Sequence, residues 1–86
     1  MSEHASPEVL ATLRNVLEHQ IAAGDPPETA ATLTRLRREG IAEDVAWRML
    51  SAVLLQELSL IVGQERPFNR EGYVAALHRL PKLVDR

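Results

Sequence analysis

The stretch Glu43–Val62, EDVAWRMLSAVLLQELSLIV, decides the fold, because almost every residue in it is apolar while the segments around it offer one apolar side each. Wound as a helix at about 100° per residue, it places Ala46, Met49, Leu50, Val53, Leu60 and Ile61 on one side, with Trp47, Leu54 and Leu58 continuing the arc. The arc is wider than a surface helix needs. Leu55 and Val62 spill onto the far side, which leaves Asp44, Arg48, Ser51 and Ser59 as the polar strip. Such a helix belongs in the middle of a bundle, and Glu57 stands at the angular centre of its apolar arc.

The neighbouring segments supply the partners. Ser6-Pro7-Glu8 reads as an N-cap, a proline at the first helical position and an acidic first turn. A helix over about 7–23 follows, with Val9, Leu10, Leu13, Val16, Leu17 and Ile21 as its stripe and Gly24 as its left-handed stop. Arg14 and Glu18, four residues apart, are placed to pair along its surface. Asp25-Pro26-Pro27-Glu28 predicts a capped start for a second helix over about 26–39. Its apolar face is thin (Ala30, Leu33, Leu36), so Thr29, Thr32, Thr34, Arg35, Arg37 and Arg38 are expected to look outward. Ile41-Ala42 makes a tight corner into the central helix, which Gly63 is expected to end near 62. After a polar connector, Asn69 reads as the cap of a last helix over about 70–80. Phe68 staples onto Tyr73, Leu77 and Leu80 point inward, and Pro81 is the stop. The pattern predicts one all-α domain over 1–86, a compact four-helix bundle with short connections and frayed tails at 1–5 and 82–86.

Composition agrees with this and narrows the function. With 86 residues and one each of Trp, Tyr and Phe, the core must be built from Leu, Val and Ala, a palette that suits helices. A net charge of −2 gives no bulk attraction to nucleic acid or to anionic membranes. The absence of cysteine excludes thiol chemistry and is in keeping with a cytoplasmic protein. The start of the chain is polar and uninterrupted apolar runs are short, so neither a signal peptide nor a membrane span is expected.

An unpaired carboxylate in an apolar core costs several kcal/mol, so Glu57 is expected to be paired, to serve as a ligand, or to reach water. The pairing kept here is a structural ion pair of Arg14 with Glu57, fixing the first helix against the third. The histidines do not converge: His4 is in the tail, and His19 and His78 lie away from the apolar stripes. No hydroxyl, imidazole and carboxylate can be argued into one neighbourhood, so no catalytic residues, cofactor or small-molecule substrate are assigned and the chain is not read as an enzyme. The second and third helices superficially suit a helix-turn-helix, but Glu43 and Asp44 open the would-be recognition helix with the wrong sign for DNA. The remaining excess is apolar. Trp47, Leu54, Leu55, Leu58 and Val62 extend the third helix beyond what its thin partners can cover, and are read as an interaction surface for a homodimer or for another protein. The alternative is that the last helix, with Leu83 and Val84, folds over it.

Several segments together resemble a group of short bacterial helical domains of unknown function, found alone or beside SEC-C-type zinc-knuckle motifs. The residues are Glu18-His19-Gln20 before Asp25-Pro26-Pro27-Glu28, Leu36–Gly40, Glu57, and the run from Pro67 to Leu77, PFNREGYVAAL. The likeness extends over about Leu10–Leu80. Members similar to this chain carry histidines where Arg14, Asp44 and Arg48 stand here, which implies metal binding for them and leaves Glu18, Asp44 and Glu57 as ligand-type residues at matching positions. Two functions are therefore expected: an interaction or adaptor module, homodimeric through the third helix, or a metal-binding or metal-sensing protein using Glu18 and Glu57.

Overall fold

A computed structural model describes residues 6–82. The chain forms a four-helix bundle: α1 (Pro7–Ala23), α2 (Pro27–Arg38), α3 (Glu43–Gln64) and α4 (Arg70–Arg79). Of the expected tails at 1–5 and 82–86, every residue except Lys82 lies outside the described residues, His4, Leu83 and Val84 among them, and the Lys82 N–H donates to the Arg79 carbonyl (2.9 Å). α3 packs against all three other helices, and its Ala46 and Leu50 are fully covered by them. By length and composition alone, α3 is long and apolar enough to cross a membrane. A helix that serves as the core of a bundle passes the same test, so this bears neither for nor against the expectation of no span.

The expected start signals hold at two helices. The Ser6 hydroxyl accepts the Val9 N–H (3.2 Å) at α1, and Asn69 Oδ1 accepts the Gly72 N–H (3.0 Å) at α4. A Cβ at Gly72 would stand 2.8 Å from Asn69 Nδ2, so any larger residue there would make the capping side chain shift. Phe68 meets Tyr73 edge-on at 5.5 Å, closing the staple.

Other expectations are corrected. α2 begins at Pro27, one residue later than the double proline suggested, so Pro26 occupies the cap position and has no side-chain acceptor to offer. Asp25 is left free to bridge to Arg70 of α4 (2.9 Å). α3 continues through Gly63 to Gln64, and Glu65 takes the left-handed position instead (φ 51°). Thr29, Thr32 and Ser51, expected outside, are buried. α2 is accordingly no mere cover: it packs against α1, α3 and α4, and a helix with so few large apolar residues uses the methyl groups of its threonines to fill that contact.

The Thr29 hydroxyl is not stranded by burial. It donates to Gln20 Oε1 (2.8 Å), and the Tyr73 hydroxyl donates to the same oxygen (3.1 Å). One amide oxygen thus joins α1, α2 and α4, and burial raises the Tyr73 phenol above its usual pKa. Arg35, also expected outside, reaches across to α4, where its guanidinium donates to the carbonyls of Leu80 (2.8 Å) and Leu77 (3.1 Å). Both carbonyls lie at a helix C-terminus, where Leu77 also accepts the Leu80 N–H (3.2 Å), and a cation there meets the negative end of the helix dipole.

Candidate functional site

Two features of α3 concentrate what is unusual in the fold. The first is Glu57, which is buried (5% exposed) as its position on the apolar arc predicts. Its partner is Arg66 and not Arg14. The Arg66 guanidinium meets both carboxylate oxygens at 3.3 Å, and the backbone N–H of Asn69 donates to Oε2 at 2.8 Å. Arg66 also donates to the Pro67 carbonyl (3.0 Å). The carboxylate therefore holds the connector between α3 and α4 and sits at the N-terminus of α4, where a negative charge is favoured. A small cavity of about 130 Å³ opens beside it, lined by Gln56, Arg66, Asn69, Tyr73 and Arg79 among others.

The expectation about Arg14 fails because Trp47 takes it. The guanidinium lies 4.1 Å from the centre of the Trp47 ring, in cation–π geometry, and its Nε donates to Glu18 (3.2 Å), the pair read from the spacing. The Trp47 indole N–H in turn donates to Glu43 Oε2 (3.1 Å). Arg37 of α2 closes the chain with two hydrogen bonds to Glu43, at 2.9 and 2.6 Å. The Arg37 and Trp47 hydrogen bonds hold the Glu43 carboxyl down at about 2, while Glu43 raises the Arg37 pKa. Arg35 and Arg37, expected to look outward, are thus engaged within the fold.

The second feature is the apolar surface, and the structure divides the five residues assigned to it. Trp47 and Leu54 (9% and 3% exposed) belong to the core, because α1 packs over that edge of α3. Leu55, Leu58 and Val62 remain outside at 38%, 40% and 78%. They are joined there by α1: Glu8, Val9, Thr12 and Leu13 face Leu55 and Leu58 across a shallow groove of about 280 Å³. Sequence reading had turned Val9 inward with the rest of its stripe. Val9, Leu10 and Val16 are instead exposed, and of that stripe only Leu13 and Leu17 are buried, because the contact with the bundle is narrower than the apolar face of α1.

Glu18 and Glu57 do not converge with Asp44 on a ligand site. Glu18 is held by Arg14, Asp44 lies on the exposed strip beside Arg48 (3.5 Å), and Glu57 is enclosed with Arg66. Among the described residues, no group of three or more His, Asp or Glu side chains is arranged to hold a metal ion. His19 and His78 are exposed, His78 on the wall of a separate groove with Glu28 and Arg70. Compared with protein-family models, curated proteins and solved structures, the chain has no significant match.

Proposed function

We propose that this chain is a protein-interaction module that acts by binding and not by chemistry, and that it associates with a second copy through the exposed face shared by α1 and α3. The observation that carries this reading is that Val9, Leu55, Leu58 and Val62 stay exposed after all four helices have packed. Three of them line one groove, with Val62 one turn beyond Leu58 on α3. Contiguous apolar surface of this kind marks association sites, and closed symmetric dimers are the commonest arrangement. The alternative built on metal binding by Glu18 and Glu57 draws no support from their partners, since each carboxylate already has an arginine. A cytoplasmic setting belongs to the same proposal and rests on the lack of cysteine.

Methyl NMR over a concentration series tests the reading. The Val9, Leu55, Leu58 and Val62 methyl resonances are expected to move with concentration while those of the enclosed Leu17 and Leu36 stay fixed. Shifts confined to other surfaces, or no concentration dependence at all, would overturn it.

A further inference from the structure

Resting on that reading, we propose how the second copy sits: the two α3 helices pack antiparallel along the seam Arg48, Ser51, Leu55, Leu58, Val62 and Glu65, with Leu55 of each copy against Leu58 of the other. These positions follow one another at alternating spacings of three and four residues, the a/d spacing of a coiled-coil seam. The apolar residues lie in the middle and towards one end. The ends are oppositely charged and exposed, with Arg48 near the start of α3 and Glu65 at its C-cap.

Charge and apolarity together select the arrangement. In a parallel pair each Arg48 would face its own counterpart, as would each Glu65, and both contacts repel. An antiparallel pair shifted by one heptad in either direction sets Arg48 against Leu58, or Glu65 against Leu55. With Leu55 opposite Leu58 of the mate, Val62 falls over Ser51, a small residue already covered by the bundle, and Arg48 falls opposite Glu65. The two central layers are then leucine on leucine and the two end layers of opposite charge, while the Ser51 position, already covered, adds no layer of its own. Leu58 of the mate would enter the groove that Leu55, Leu58 and Val9 already form. The Arg48 side chain, 70% exposed and bridged only to Asp44 at 3.5 Å, is free to turn to the new partner.

A charge-reversal cycle read by light scattering tests this. Arg48→Glu and Glu65→Arg are each expected to weaken association on the order of tenfold, because each places like charges at both ends of the seam. The double variant Arg48→Glu/Glu65→Arg is expected to recover most of the loss, and circular dichroism checks that all three remain folded. Leu58→Glu serves as the reference that abolishes association. If Leu58→Glu yields monomers while the charge variants associate like the natural chain, the antiparallel register is wrong and the shared face stands. If the natural chain is itself monomeric, the reading beneath the register fails with it.

Discussion

Replacing Glu57 by alanine removes a buried carboxylate, one hydrogen bond from the Asn69 N–H and both contacts to Arg66. Its size can be worked from the parts. A hydrogen bond to a charged acceptor contributes about 1.5–3 kcal/mol, and breaking a buried pair by deleting one member costs about 3–5 kcal/mol. The Arg66 side chain is 26% exposed and can turn to water, which places the expected loss at the lower end, about 2–3 kcal/mol. In a domain of this size each kcal/mol lowers Tm by about 4–8 °C. Glu57→Gln retains an acceptor for Asn69 and should lose about 1 kcal/mol. Urea unfolding of Glu57→Ala, Arg66→Ala and the double variant closes a cycle. Two residues that act as a clamp should show a coupling of at least about 1 kcal/mol, whereas independent sites add to within about 0.5 kcal/mol. Additive losses would refute the clamp, and so would a Glu57→Leu variant that melts higher than the natural chain as a single folded species.

Three further outcomes are expected. Gln20→Leu strands the buried Thr29 and Tyr73 hydroxyls together and should cost about 2–3 kcal/mol by chemical denaturation, more than Tyr73→Phe at about 1 kcal/mol. Arg35→Ala uncovers the Leu77 and Leu80 carbonyls and should cost about 1–2 kcal/mol, with faster amide exchange concentrated in the last turn of α4. The Glu43 carboxyl titrates at about 2 in the folded chain, held down by Arg37 and Trp47, against about 4.3 when unfolded. Its contribution is complete above the unfolded value and is lost as pH falls through the folded one. Acid unfolding followed by Trp47 fluorescence should therefore be shallower between those values in Glu43→Gln than in the natural chain.

The helices were legible in the sequence because their signals are local. Ser6-Pro7 and Phe68-Asn69 each act within one turn, and the apolar width of Glu43–Val62 requires partners on several sides. Glu57 was legible as a buried carboxylate for the same reason. Its partner was not, since Arg66 reaches it only after α3 runs past Gly63 and Glu65 reverses the chain. Arg14 had the right charge and lay on a neighbouring helix, but the face of Trp47 and the Glu18 carboxylate engage it. The exposed apolar face was half legible: Leu55 and Val62 stood out on the far side of α3, whereas the exposure of Leu58 and the burial of Trp47 and Leu54 depend on where α1 crosses. The threonines of α2 were misread because a polar side chain on a thin face is buried only if a partner such as Gln20 waits across the interface, and no spacing within α2 announces that.

Sedimentation equilibrium of the natural chain tests the central claim most directly. An interface built on two leucine layers with charged ends should hold with a dissociation constant on the order of micromolar. The mass is therefore expected to climb from 9.6 kDa towards twice that value as concentration rises through this range. A mass that stays at 9.6 kDa up to millimolar concentration would contradict the account.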